Sequence, residues 1–294
     1  FLLDSCRYKA SENQIRAYAK AESSKNRKNT ETVISVREAW FRYEKDSKDI
    51  LCGMNFDIHA GELTCIVGGN GAGKTTALMT AAGVFSPYRG KVKYRGKPIS
   101  TFRKDKGSAG KIGVLVQNPL CCFVMDSVAE ELEATAKAYK LPRSGIEEVI
   151  DIMQLQSVLG SNPYDISGGE LQRAAIAKLL LPKPEVIFLD EATKGMDAFF
   201  KAEFGALLRR LAARGTAIVL VSHDIEFCAE FADRCAMFFN GTVIAEGTPQ
   251  EVFLGNSFYT TSACRISRGI IPDALTSEQV IDYANRCERK KNDA

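Results

Sequence analysis

Apolar and polar residues begin to alternate at Val33-Ile34-Ser35-Val36, and the alternation recurs in Trp40-Phe41-Arg42-Tyr43 and Met54-Asn55-Phe56-Asp57-Ile58. A period of two marks strands with one buried face, so these segments are expected to pair antiparallel. Leu63-Thr64-Cys65-Ile66-Val67 is a short, nearly continuous apolar run, the form of a strand buried on both faces. A glycine-rich stretch follows it directly, and Lys74 to Ala82 then reads as a helix. Helical periodicity returns from Ser127, a cap, to Lys140, where Pro142 stops it, and again over about Ser144 to Gln154 and Gly168 to Leu181. Beyond this, strand and helix alternate: Val186 to Leu189, Ala198 to Arg214 closed by Gly215, Ala217 to Val221, and Asp224 to Asp233. That order predicts a parallel sheet with helices on its faces. A hairpin turning at Asn240-Gly241 ends near Gly247. The two ends are more polar. A helix-like stretch around Ala10 to Ala21 leads into a linker at Ser23-Ser24-Lys25-Asn26, and the tail holds one helix near Ser277 to Cys287. No internal repeat is visible.

At 294 residues and 45% hydrophobic content, the chain can bury a substantial core. Lysine plus arginine (39) and aspartate plus glutamate (36) nearly balance, so nucleic acid is not expected as a partner. The basic runs Lys25-Asn26-Arg27-Lys28 and Arg289-Lys290-Lys291 stand in polar ends and read as solvated. None of the nine cysteines forms a Cys-x-x-Cys pair, so reduced thiols in a cytosolic protein are expected. No apolar stretch approaches the roughly 20 residues that span a bilayer. The start, Phe1-Leu2-Leu3-Asp4, has no signal-peptide pattern and no methionine, which suggests a piece of a longer chain.

The chemistry concentrates in three places. Gly68-Gly69-Asn70-Gly71-Ala72-Gly73-Lys74-Thr75 stands between a strand and a helix, the context of a phosphate cradle. Its glycines let backbone N–H groups turn toward phosphates, and the helix N-terminus adds partial positive charge. Lys74 is placed to reach the β- and γ-phosphates, and the Thr75 hydroxyl to bind Mg²⁺. Gly68, Asn70, Gly71, Gly73, Lys74, Thr75 and Thr76 are thus the candidate phosphate contacts. Second, the run Val186-Ile187-Phe188-Leu189 closes on Asp190-Glu191. Two carboxylates at the end of a buried strand are costly unless a cation or proton uses them. Asp190 is the candidate to hold Mg²⁺ through water, and Glu191 to polarise an attacking water. Third, Ile166-Ser167-Gly168-Gly169-Glu170 lies just upstream of that acidic strand.

With these three elements in this order, the sequence resembles the ATP-binding subunits of ABC transporters over roughly residues 32 to 250. The resemblance implies an α/β fold: a RecA-like P-loop ATPase core, an antiparallel β-subdomain, and a helical insertion at about 120 to 180. Residues 1 to 31 are then a leader or linker, and 251 to 294 a small C-terminal helical extension. In the family, the serine-glycine-glycine element caps a helix that faces the γ-phosphate held by the opposite subunit, a role that falls here to Ser167 and the Gly169 N–H. By the same resemblance Gln117 contacts Mg²⁺ and senses nucleotide, and His223 bonds the γ-phosphate. Asp197 lies in the loop that crosses the dimer interface, and Tyr43 stacks on adenine. Lys74, Gln117, Glu191 and His223 are the expected catalytic set; Thr75, Gln117 and Asp190 are the expected metal set.

Gln117-Asn118-Pro119 and the run from Asp190 to Asp197 resemble the energy-coupling-factor branch, which takes up vitamins and metal ions. So do Phe253 to Thr261 and Ala274-Leu275-Thr276. Some members carry two ATPase halves in one chain. The resemblance therefore implies ATP and Mg²⁺ as cofactors, and a second ATPase domain, identical or tandem, as partner. It also implies integral membrane subunits and a peripheral place on the cytoplasmic face of the membrane. Three departures from the family pattern stand out: Glu170 replaces a glutamine, Ala192 a proline, and Cys121-Cys122 stand where the branch often has polar residues. Two rivals stay open, a soluble ABC ATPase acting on ribosomes or nucleic acid, and a P-loop kinase or other monomeric NTPase. The interval from Lys74 to Ser167 holds no heptad run, which sets aside the coiled-coil DNA-repair members.

Overall fold

A computed structural model describes residues 31–254, 256, 259–271 and 273–292. The helix expected over Ala10 to Ala21 and the cluster Lys25 to Lys28 lie outside them, as do Gly255, Ser257 and Phe258.

Two sheets organise the molecule. The smaller is antiparallel, in the order β2-β1-β4-β5, from β1 (Thr32–Phe41), β2 (Leu51–His59), β4 (Arg89–Tyr94) and β5 (Lys97–Pro98). The larger runs β10-β9-β3-β8-β7-β6. Its strands are β3 (Leu63–Val67), β6 (Ile112–Leu115), β7 (Val186–Asp190), β8 (Ala217–Val221), β9 (Arg234–Phe239) and β10 (Thr242–Gly247). All neighbours are parallel except β10, which pairs with β9 through the expected hairpin. Asn240 and Gly241 both have positive φ (46° and 79°), as a two-residue turn that matches strand twist requires.

Alternate residues of the parallel strands face opposite cores. Ile66, Val186, Phe188, Val219 and Val221 join the small sheet and α1 (Lys74–Ala81) in one cluster. Cys65, Val67, Ile187, Leu189, Ile218 and Leu220 join the other. Its helices are α3 (Val128–Ala138), α4 (Arg143–Met153), α5 (Gly168–Leu180), α6 (Ala198–Ala213) and α7 (Ile225–Phe231). Burial on both faces explains why these strands read as unbroken apolar runs.

Several expectations need correction. Trp40 to Tyr43 is not a strand of its own: β1 runs unbroken to Phe41, with Glu38 at φ 49° where the register shifts, and Arg42 and Tyr43 lie beyond its end. The stretch from Arg89 to Lys104, where no element was expected, forms β4, β5 and α2 (Ile99–Lys104). In β4 only Val92 and Tyr94 are buried, so its hydrophobic signal is faint, and pairing with β1 defines it. The tail holds α8 (Pro249–Phe253), α9 (Ser262–Ser267) and α10 (Ser277–Asn292), where one helix was expected.

Candidate active site

The parallel topology sets β3, β8, β7 and β6 side by side, and the chain leaves each at the same edge. Gly68, His223, Asp190-Glu191 and Gln117 all lie at or just past these strand ends. The crevice beyond the carboxyl ends of a parallel sheet is where such folds take ligands.

The phosphate loop can hold its shape only with glycine at two points. A Cβ on Gly68 (φ 153°) falls 2.2 Å from the Phe238 carbonyl oxygen, and one on Gly73 (φ 98°) falls 2.9 Å from that of Ile50. Lys74 is buried, and its Nζ donates to the carbonyls of Gly68 (2.9 Å) and Gly69 (2.8 Å). Burial lowers the Lys74 pKa, against the pull of Glu191 and Asp190. The Thr75 hydroxyl donates to Asp190 Oδ2 at 2.8 Å. The other oxygen, Oδ1, is buried without a hydrogen-bond partner, and burial raises the Asp190 pKa. A desolvated carboxylate oxygen with nothing to accept from, one side chain away from a threonine hydroxyl, fits a hard divalent cation with oxygen ligands.

Glu191 has left-handed backbone (φ 52°), fixed by its N–H donating to Val221 O at 2.9 Å. Gln117 Nε2 donates to its Oε2 at 3.1 Å, and His223 Nε2 lies 3.0 Å from its Oε1. Non-glycine residues in this conformation are uncommon and gather at functional sites. Behind them, Thr193 Oγ1 and Ser222 Oγ are 3.4 Å apart, linking the loop after Glu191 to the strand end before His223.

Tyr43 is 60% exposed, yet held. Its ring meets Phe41 and Phe85 edge-on at 5.2 and 5.8 Å, and its hydroxyl lies 3.0 Å from Thr76 Oγ1. Phe85 was not foreseen; an isolated aromatic after a helix carries no motif to mark it.

Two expected residues are not bonded into this cluster. Ser167 caps α5: its hydroxyl and N–H donate to Glu170 Oε2 (2.6 and 2.9 Å), and Glu170 N–H donates back at 3.3 Å. The Ser167 bonds lower the Glu170 pKa, so a glutamate suits this turn. Ser167 and Gly168 are exposed, and a Cβ on Gly169 falls 3.1 Å from Gly195 O. Asp197, also exposed, caps α6 by accepting from Phe200 N–H at 2.8 Å. Asn70 and Gly71 lie at the tip of the phosphate loop, and nothing within 4 Å blocks a Cβ on Gly71.

A second polar cluster was also missed. Glu131 of α3 is buried and accepts from Lys178 Nζ of α5 at 2.5 Å, from Met125 N–H at 2.6 Å, and from Val124 N–H. Lys178 also donates to Cys122 O. The loop so clamped exposes Val124 (85%) and Met125 (42%).

A family model described as ABC transporter matches residues 51–194. A putative ABC transporter ATP-binding protein of Bacillus cereus is 39% identical over 258 residues, 87% of this chain and 46% of that protein. The chain thus spans about half the length of such relatives. The energy-coupling factor transporter ATP-binding protein EcfA of Methanocaldococcus jannaschii is 32% identical over 226 residues, 75% of this chain and 81% of that protein. Among solved structures, cbiO1 of Clostridium perfringens, described as part of the ABC transporter complex cbiONQ, superposes with a TM-score of 0.66 at 30% identity. That match covers 75% of this chain and 90% of the other.

Proposed function

Given that the chain belongs to the ABC transporter ATP-binding family, we propose that it is the ATP-hydrolysing engine of a membrane transporter. The observation that carries this reading is the gathering of Lys74, Thr75-Asp190, and Glu191 with Gln117 and His223 at one sheet edge.

Each residue then has a task. Lys74, tethered to two loop carbonyls, turns its ammonium to the β- and γ-phosphates. Gly68, Asn70, Gly71, Gly73 and Thr76 shape the cradle, and Tyr43 offers its exposed ring face to adenine. Thr75, Gln117 and Asp190 would hold Mg²⁺, which when bound neutralises charge on the triphosphate. Glu191 takes the proton of the attacking water, and His223 bonds the γ-phosphate. Gln117 donates to one oxygen of Glu191 and His223 Nε2 lies beside the other, so both residues also fix where the base points.

Ser167, Gly169 and Asp197 serve the nucleotide of a facing ATPase unit. In support, the Ser167 helix end is exposed, and its bonds stay within its own first turn. The partner unit is a second copy or a tandem half; relatives of about twice this length leave room for the latter. The division into a core over 32–250, with helical insertion near 120–180, and an extension over 251–294 belongs to the same reading. No described helix is long and apolar enough to cross a membrane. On the family reading, the chain works as a peripheral subunit on the cytoplasmic face, docked on integral membrane partners. The loop held by Glu131 and Lys178, with Val124 and Met125 displayed, is the proposed docking surface. Relatives named as energy-coupling factor transporter ATP-binding proteins support that branch, and with it the reading of uptake of a vitamin or metal ion.

Glu191→Gln tests the engine. Nucleotide binding should persist while hydrolysis falls by about 10²–10⁴-fold, the range of a lost general base. Hydrolysis at the wild-type rate would remove Glu191 from that role.

A further inference from the structure

The segment after α8 returns to the nucleotide site. A Cβ placed on Gly69 would lie 3.3 Å from the Tyr259 hydroxyl, so this tyrosine stands directly against the phosphate loop. Gly69 is also one of the two residues whose carbonyls hold Lys74. The ring of Tyr259 is partly buried on the core cluster that lines the parallel sheet.

Two anchors flank Tyr259. Ahead of the tyrosine, Asn256 accepts from the Tyr259 N–H at 2.9 Å and donates to Met237 Sδ of β9 at 3.5 Å. Behind it, Thr260 and Thr261 are buried, and Thr261 caps α9 by accepting from Cys264 N–H at 3.1 Å. Ser262 then donates through both N–H (3.0 Å) and hydroxyl (2.9 Å) to Glu226 Oε1. Glu226 stands in the first turn of α7, just past His223. The C-terminal extension is thus tied to the helix that follows one nucleotide-site residue and pressed against the loop that carries another.

We propose that Tyr259 is a positioning residue of the nucleotide site, its hydroxyl setting the start of the phosphate loop at Gly69, with the Glu226–Ser262 tie holding it there. The proposal rests on the ATP-binding reading above and adds that the C-terminal extension is a working part of the cradle. A rigid neighbour at Gly69 keeps the loop in a phosphate-ready shape while Lys74 exchanges carbonyl partners for phosphate. Without it, the ligand must order the loop, which weakens binding and leaves the chemical step alone.

The test uses the full chain, the variants Tyr259→Phe, Tyr259→Ala and Glu226→Ala, and a fluorescent ATP analogue. Binding, thermal midpoint, and the KM and kcat for ATP are measured for each. Tyr259→Phe, which keeps the ring and removes only the hydroxyl, should weaken binding and raise KM about 3–5-fold, the scale of losing one methylene-sized group from the contact with the loop. Its kcat and thermal midpoint should stay at wild-type values. Glu226→Ala should shift binding the same way, and its effect should not add to that of Tyr259→Phe, since both act through one contact. Tyr259→Phe with wild-type affinity overturns the proposal, whatever Tyr259→Ala does, because only packing is then at stake. A wild-type chain that binds no ATP analogue at all overturns the ATP-binding reading instead, and this proposal with it.

Discussion

Lys74 shows at the scale of one residue how this site sets function against comfort in the fold. Lys74 is buried, its pKa lowered by that burial, and its ammonium donates to the Gly68 and Gly69 carbonyls. Such a group is ready to move to a better acceptor. Lys74→Ala should weaken ATP binding by about 10–100-fold, since hydrogen bonds to charged groups contribute about 1.5–3 kcal/mol each. Titration of a fluorescent ATP analogue measures this, and an unchanged affinity would separate Lys74 from the phosphates. Asp190 presents the opposite sign of the same situation: one oxygen bonded to Thr75, the other buried and unpartnered. Both residues were legible in the sequence because they stand at fixed places in a strand–loop–helix and at a strand end. Phe85 was not, since its tie to Tyr43 and Phe41 depends on how β1 and the end of α1 approach one another.

Among the elements, α3 and α5 are joined by an ion pair of buried Glu131 and half-buried Lys178. Removing one partner of a buried ion pair costs about 3–5 kcal/mol, because it strands the other. Glu131→Ala should therefore lower unfolding free energy by about that amount, seen as an earlier midpoint in denaturant. It should also loosen the loop from Cys122 to Met125. Burial opposes the Glu131 charge, yet Lys178 and the amides of Val124 and Met125 outweigh it and hold the pKa below the ordinary 4.5. A lowered folded-state pKa means the stabilisation is complete above 4.5 and fades as pH falls below it toward the folded value. The stability gap between wild type and Glu131→Gln should accordingly narrow as pH drops below 4.5; a gap that widens there contradicts this assignment. The strands β3, β7 and β8 and the helices packed on them were plain from periodicity, while β6 was not foreseen; Ser127 caps α3 as expected by accepting from Glu130 N–H at 3.2 Å. The small sheet was less plain. Arg89 to Tyr94 is a strand through its pairing with β1, and a mostly exposed strand leaves little trace in hydrophobic pattern.

For the whole molecule, an exposed helix end decides how the site is completed. The glycine loop from Gly68 to Thr75, the Thr75–Asp190 pair, and Glu191 with Gln117 and His223 gather within one chain, while the Ser167 helix end and Asp197 are exposed and cap their own helices. A helix N-terminus with free backbone N–H groups suits a phosphate presented by another unit. Ser167→Arg should leave ATP binding intact and abolish hydrolysis that rises with protein concentration; loss of binding instead would place Ser167 in its own chain's cradle. The most direct test is the mass in solution of Glu191→Gln at high protein concentration, by analytical ultracentrifugation. With saturating MgATP the variant should pass from monomer to a closed dimer, and Ser167→Arg in the same background should prevent it. A Glu191→Gln chain that binds ATP yet stays monomeric, both alone and with its partner ATPase unit, would contradict the claim that two units complete one site.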